Sequence, residues 1–330
     1  MEPLEYIKKK ARNKSKVIVY PEGEDKRIIQ AASMCIESGV LKGAVLLGDT
    51  AKITASAKEL GVSLKGCEIL NPKTSDKIDK FAEILFELRK HKGISIDDAR
   101  QNVTQNLYFA GLIVRTGEAD GFVGGSVNTT GATVRAVLQT LGLADGVSTL
   151  CSFFIMDVPN CNYGENGLFL YADCGVIPDP SPRQLANITY LTAKAFKDLF
   201  DHDARCALLS YSTKGSAEGD SVTKVRKALE IINEKYPHVI ADGEMQVDAA
   251  LVSDVAKIKM GASPVAGCAN VLIFPDLASG NIAYKLTERL AKAKAVGPIL
   301  AGTAYPANDL SRGCSVEDVI NVTAVTLLQS

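Results

Sequence analysis

Short apolar runs alternate with longer amphipathic stretches along the whole chain. The runs Val17–Tyr20, Ala44–Gly48, Cys67–Leu70, Gly121–Val123, Leu150–Met156, Leu168–Ala172, Ala207–Tyr211, Val271–Phe274 and Ile299–Ala301 predict strands. Several are apolar at every position rather than every second one, the pattern of parallel strands covered on both faces. Apolar residues at helical spacing predict helices over roughly 24–38, 75–91, 96–116, 131–142, 181–199, 221–235, 248–260, 279–294 and 315–329. Ser181-Pro182-Arg183-Gln184 and Ser315-Val316-Glu317-Asp318 supply helix-start signals for two of them. Repeated strand–helix alternation predicts an α/β fold with mainly parallel sheets.

The 330 residues correspond to about two domains at ~150 residues each. Gly142–Gly146, Pro159–Gly167 and Val296–Pro298 punctuate the pattern, which places a division near residues 146–150. Lys+Arg is 37 and Asp+Glu is 38, so the net charge of -1 argues against a nucleic-acid binder or a polybasic membrane binder. The N-terminus, MEPLEYIKKKARNKSK, has no apolar signal region, and the chain reads as soluble and cytoplasmic. None of the eight cysteines forms CxxC, and the three histidines, His91, His202 and His238, are far apart in sequence. That supply predicts no metal site and no histidine-based nucleophilic engine.

Four polar segments remain as carriers of chemistry. Asp309-Leu310-Ser311-Arg312-Gly313-Cys314-Ser315 enters the last helix, bringing a hydroxyl, a guanidinium and the carboxylate of Asp318 to a helix N-terminus, which favours anions. Asp318 could equally cap its own helix, and Arg312 could pair with Asp309. Gly124-Gly125-Ser126-Val127-Asn128-Thr129-Thr130 follows a strand and opens a helix that carries Arg135; its glycines and hydroxyls suit a phosphate, though it is neither a Walker A loop nor GxGxxG. Ser210-Tyr211-Ser212-Thr213-Lys214-Gly215-Ser216 sits at the carboxyl end of a strand, where α/β sheets bind ligands. Glu87-Leu88-Arg89-Lys90-His91-Lys92 ends a long helix, where cations also simply complement the helix dipole. Hydroxyls, arginines, lysines and one well-placed carboxylate suit group transfer on an anionic, phosphorylated substrate.

The last, first and third segments, together with Asp242-Gly243-Glu244-Met245-Gln246-Val247-Asp248, Gly261-Ala262-Ser263-Pro264-Val265-Ala266-Gly267 and the run from Asn270 to Lys285 (NVLIFPDLASGNIAYK), make the chain resemble the phosphate acetyltransferases, or phosphotransacetylases, in their short form without a regulatory domain. The resemblance covers nearly the whole chain. It implies two α/β domains similar to those of isocitrate and isopropylmalate dehydrogenases, residues 1–147 plus 296–330 and residues 148–295, with the active site in the cleft between them. It implies reversible acetyl transfer between CoA and phosphate, a homodimer, a metabolic link to acetate kinase, and no metal or cofactor beyond the substrate CoA.

Residue by residue, the resemblance makes Asp318 the general base for the CoA thiol, and Arg312 and Ser311 the groups that bind and stabilise the reacting atoms. Arg89 and Arg135 match arginines for CoA or phosphate. Ser126, Thr130, Tyr284 and Lys285 fall at the acyl-phosphate pocket, and Cys161 near the active site without being a nucleophile. Ser212, Thr213 and Lys214 complete the expected substrate contacts. The alternatives are a phosphate butyryltransferase, a non-catalytic acetyl-CoA-sensing module, and a metal-dependent dehydrogenase on the similar fold, for which no aspartate cluster is found.

Overall fold

The computed structural model describes residues 2–330. The chain divides into two compact units, Met1–Asp145 with Thr303–Ser330, and Gly146–Gly302. The first unit begins α1 (Pro3–Arg12), β1 (Val17–Tyr20), α2 (Lys26–Glu37), β2 (Gly43–Leu47), α3 (Thr50–Leu60), β3 (Cys67–Leu70), α4 (Ile78–Arg89), α5 (Ile96–Val103), α6 (Asn106–Arg115), β4 (Gly121–Gly124) and α7 (Thr130–Thr140). The second unit runs β5 (Cys151–Asp157), β6 (Leu168–Ala172), α8 (Pro182–Phe200), β7 (Cys206–Leu209), α9 (Asp220–Lys235), β8 (Ala241–Met245), α10 (Val247–Leu251), α11 (Ser253–Lys259), β9 (Val271–Ile273), α12 (Leu277–Leu290) and β10 (Lys294–Ala301). The chain then returns to the first unit with β11 (Ala307–Asp309) and α13 (Val316–Gln329).

The first sheet has the order β11-β4-β1-β2-β3, and all its pairings are parallel. The chain winds from β1 outward to β3, then crosses to the other side of β1 to lay down β4. The connections after β1 and β4 therefore diverge at a topological switch point, the place where open α/β sheets form a crevice. The second sheet has the order β10-β5-β6-β9-β7-β8; β6, β9, β7 and β8 are parallel, and β5 and β10 extend it with antiparallel pairings.

Each unit has its own core. In the first, α6 is buried at every position from Leu107 to Val114, and Phe109 meets Phe81 edge-on with ring centroids 5.0 Å apart. Large apolar side chains buried this fully contribute about 1.5–3 kcal/mol each. In the second, Phe154, Met156, Phe169, Tyr171, Leu272 and Phe274 pack with Met245 and Met260.

The structure departs from the sequence pattern at identifiable points. The helix expected over 96–116 is two helices. Gln105 is extended (φ -87, ψ 130), and the side chain of Asn106 donates to the Pro21 carbonyl at 2.7 Å, which fixes the break beside the carboxyl end of β1. The helix expected over 248–260 breaks at Val252, also extended. Helices α1 and α3 and strands β8 and β11 were not foreseen. β11 is fully buried yet contains Asn308, whose amide donates to Thr326 Oγ1 at 2.8 Å and Gln329 Oε1 at 2.7 Å. The return expected at residue 296 falls inside β10, which pairs with β5 and so belongs to the second unit; the first resumes at Thr303.

Candidate functional site

The switch point of the first sheet is occupied by the protein's own carboxylate. Glu22, just after β1, accepts six hydrogen bonds from the loop after β4. Its Oε2 takes the Gly125 N–H at 2.8 Å, the Ser126 N–H at 2.6 Å and the Ser126 hydroxyl at 2.8 Å. Its Oε1 takes the Val127 N–H at 2.9 Å, and the Asn128 N–H and side-chain amide at 2.7 Å each. The amides that the sequence offered to a phosphate therefore already hold an anion. Ser126 is buried and its hydroxyl is engaged internally.

Arg27, at the start of α2, joins this loop to the segment before α13. It donates to the Ser126 carbonyl at 2.8 Å, the Arg312 carbonyl at 2.9 Å and the Cys314 carbonyl at 2.8 Å, while Asp25 grips it from behind. Asp309, at the end of β11, is fully buried against the same loop. Gly125 adopts φ +105, and a Cβ there would stand 2.1 Å from Asp309 Oδ1, so only glycine admits the carboxyl. Burial pushes the Asp309 carboxyl up to about 7. The Thr130 and Thr133 hydroxyls stand close enough to favour its charged form, the charge of Glu22 opposes it, and no hydrogen bond of good geometry reaches either oxygen. Arg312 does not pair with Asp309.

Ser311 and Arg312 are exposed. The Arg312 guanidinium has no hydrogen-bond or ion-pair partner among the described residues. Asp318 forms a capping box with Ser315: its Oδ2 accepts the Ser315 N–H at 2.8 Å and hydroxyl at 2.9 Å, and its own N–H donates to Ser315 Oγ at 3.2 Å. Oδ1 accepts nothing from the described residues. The capping role is thus real, and it engages one carboxylate oxygen. Val316 and Glu317 keep first-turn N–H groups without intrahelical acceptors.

Arg89 ends α4, and Arg135 stands on the exposed side of α7. Both act on Tyr108 of α6: burial pushes its phenol up, and the two guanidinium charges partly counter this. Among the described residues, Arg89 Nε is buried without a partner and neither arginine has an internal anion. Among the expected first-unit residues, the structure thus groups Ser126 and Thr130 around Glu22 and Asp309, Ser311, Arg312 and Asp318 at the start of α13, and Arg89 with Arg135 around Tyr108.

In the second unit, Glu244 in β8 organises the loop after β7. It accepts the Ser212 hydroxyl at 2.8 Å, the Gly215 N–H at 2.9 Å, and both Nε and Nη2 of Arg226 at 2.9 Å. Burial alone would raise the Glu244 carboxyl, but Arg226, Gly215 and Ser212 outweigh it and hold it at about 2. Ser212 and Thr213 are buried, with Thr213 Oγ1 accepting the Gln246 N–H at 3.0 Å. Lys214 is exposed at φ +43, with no ion-pair partner among the described residues. Tyr284 stacks on Phe154 at 4.0 Å between centroids, and Lys285 Nζ lies 4.9 Å from the Tyr284 centroid. Cys161 is half-buried against this core. No group of His, Cys, Asp and Glu among the described residues could hold a metal ion, and no helix among them is long and apolar enough to cross a membrane.

Comparison with known proteins decides the family. The family model described as "Phosphate acetyl/butaryl transferase" matches residues 3–327. The chain belongs to this family. A phosphate acetyltransferase of Acetivibrio thermocellus is 49% identical over 327 residues, covering 99% of this chain and 98% of that protein. The crystal structure of a phosphotransacetylase from Streptococcus pyogenes superposes with a TM-score of 0.91 at 38% identity, covering 98% of this chain and 97% of that one. The crystal structure of a 4-hydroxythreonine-4-phosphate dehydrogenase from Klebsiella pneumoniae, at 10% identity and TM-score 0.51, covering 96% of this chain and 100% of that one, shares the fold alone.

Within this acyltransferase frame, the residues that sequence reasoning missed are Glu22, Arg27, Glu244 and Arg226. A signal for the first two was present: Pro21-Glu22-Gly23-Glu24-Asp25-Lys26-Arg27 follows a strand directly, at the end where such sheets place ligands. Glu244 lies in a segment that carries the resemblance, but its pairing with Arg226 gave no signal, because they meet across an interval of 18 residues that no local pattern connects.

Proposed function

We propose that the chain catalyses the reversible transfer of an acetyl group between CoA and phosphate by direct thiol attack, with Asp318 as general base. The observation that carries this reading is the start of α13, where the partnerless Arg312 guanidinium shares a short segment with the unengaged Oδ1 of Asp318 and free first-turn N–H groups. In the direction of thioester synthesis, Asp318 Oδ1 takes the thiol proton as sulfur bonds to the acetyl carbonyl carbon of acetyl phosphate. The carbonyl electron pair moves onto oxygen, and Ser311, Arg312 and the Val316 and Glu317 N–H groups are the donors for that oxyanion. The pair returns, the carbon–oxygen bond to phosphate breaks, and phosphate leaves against cationic side chains. No covalent acyl-enzyme is needed. Arg89 and Arg135, without internal anions among the described residues, serve the phosphates of CoA, and Thr130, Lys214, Tyr284 and Lys285 remain the candidate substrate contacts, whereas Ser212 and Thr213 are buried and bonded to Glu244 and Gln246 and are not.

The same reading includes a cytoplasmic homodimer acting beside an acetate kinase. On α12, Ile282, Leu286 and Leu290 recur at helical spacing and are 57%, 52% and 80% exposed, a face suited to a second copy. Sedimentation at micromolar concentration should show a dimer, and Leu286→Glu with Leu290→Glu should yield a monomer.

The deciding experiment mixes purified protein with CoA and acetyl phosphate and follows thioester absorbance, with butyryl phosphate alongside. Rapid acetyl thioester formation is the expected result. A preference for butyryl phosphate would make the protein a butyryltransferase, and CoA binding without thioester from either would make it a sensing module. Asp318→Asn should lower kcat by about 10²–10⁴ at nearly unchanged KM for CoA. A folded variant with normal turnover removes Asp318 as the base.

A further inference from the structure

We propose that Arg27 is a positioning residue that holds the Ser311–Arg312 segment in its working conformation. The inference rests on Ser311 and Arg312 acting on the reacting groups. Arg27 uses every N–H of its guanidinium: Nε to Asp25 Oδ1 at 3.1 Å, Nη2 to Asp25 Oδ2 at 2.6 Å and to the Ser126 carbonyl at 2.8 Å, and Nη1 to the carbonyls of Arg312 at 2.9 Å and Cys314 at 2.8 Å. With all five donors engaged internally, it has none left for a substrate. In this it is the opposite of Arg312, whose guanidinium has no partner among the described residues.

The acceptors explain what the fork does. Asp25 is the N-cap of α2 and accepts the Arg27 N–H at 2.9 Å, so the side chain's orientation is set by a helix end. From that fixed point the planar group reaches two carbonyls that flank Gly313 and one in the loop held by Glu22. Apart from the guanidinium, the hydrogen bonds of the turn at 311–314 are its own, Cys314 N–H to the Ser311 carbonyl at 2.9 Å and Gly313 N–H to Ser311 Oγ at 3.3 Å. Leu310 and Cys314 are buried at its two ends, but Ser311, Arg312 and Gly313 between them are all exposed. Packing therefore anchors the ends of this turn, and the guanidinium holds the exposed part between them. Lysine would keep the charge but lacks the planar fork needed to serve Asp25 and three carbonyls in different directions.

The test is a double-mutant cycle between Arg27→Gln and Arg312→Gln, with Arg27→Lys and Asp25→Asn as milder changes, reading kcat, both KM values and the thermal midpoint. Arg27→Gln should lower kcat by about 10–100-fold, the scale of a small misplacement at a reacting centre, with KM for CoA within about twofold. Arg27→Lys and Asp25→Asn should fall between it and the unaltered protein, and either completes the cycle if Arg27→Gln does not fold. On the Arg312→Gln background the Arg27 change should add less than about threefold, because coupled residues are non-additive. Fully multiplicative losses would overturn the proposal, as would a raised KM for CoA at unchanged kcat, which would make Arg27 a substrate contact. An Arg312→Gln variant as active as the unaltered protein would instead remove the reading of Arg312 beneath it. A large loss for Arg27→Gln alone in that case would show that the two failures are distinct.

Discussion

The two units solve one problem in two ways. In each, a carboxylate from one strand's end holds the polar loop that follows the neighbouring strand: Glu22 for the loop after β4, Glu244 for the loop after β7. Glu244 meets a cation, gripped by Arg226 through two parallel hydrogen bonds at 2.9 Å. Glu22 accepts hydrogen bonds only from neutral groups, six inward-pointing N–H and O–H dipoles that do the work of a positive charge. The difference matters for function, because a nest of amides filled from within cannot take a phosphate. In the first unit the handling of anions falls to side chains without internal anions, namely Arg89, Arg135 and Arg312. The loop's part is to be rigid.

The comparison breaks most sharply at Glu22. Glu22→Gln keeps the shape but turns one acceptor into a donor facing three donors. With buried amides left unpaired, the variant should lose about 3–5 kcal/mol of stability, measured by urea unfolding. Glu244→Gln should lose less, about 1–3 kcal/mol at neutral pH, because the Arg226 side chain is 38% exposed and can turn to water. Equal losses would show that dipoles and a cation are interchangeable here. The pH dependence sharpens the second case. The folded Glu244 carboxyl, at about 2, lies below its ordinary 4.5. Its contribution is therefore fully present above pH 4.5 and is lost as pH falls from there towards 2. The stability difference between Glu244→Gln and the unaltered protein should shrink over that window.

How much of this was legible in the chain follows from which forces act locally. Strands β1 and β6 sit where their apolar runs begin and end, because both faces of a central strand must be covered. β11 was invisible because its burial is met by polar side chains with partners on α13, and nothing in Ala307-Asn308-Asp309 announces them. At the site, the capping box of Ser315 and Asp318 could be read from spacing alone, since its bonds span three residues. The Glu22 loop was read with the wrong occupant. Glycines and hydroxyls after a strand do signal an anion, but its source lay 103 residues away in Glu22, a distance at which only the folded topology decides.

Asp309 supplies the most diagnostic effect, because it has neither of the two devices and its contribution vanishes at low pH. It is a third carboxyl beside Glu22, fully buried, with no cation and no well-formed hydrogen bond. Burial therefore dominates and holds its proton up to about 7, where an unfolded chain would release it near 3.8. Between these values the unfolded state binds fewer protons than the folded one, so stability falls as pH rises, and levels off above about 7. This slope is opposite in sign to that of Glu244 and lies in a higher window, the two overlapping only between pH 3.8 and 4.5. Asp309→Asn removes the ionisation while keeping the shape against Gly125. It should be about as stable as the unaltered protein near pH 4 and gain on it as pH rises to 8, up to the ~4 kcal/mol that a shift from 3.8 to about 7 represents. Parallel stability curves from pH 4 to 8 would mean that the carboxyl is charged throughout and that the Thr130 and Thr133 hydroxyls suffice to hold it, placing Asp309 with Glu22 as an anion neutralised by dipoles alone.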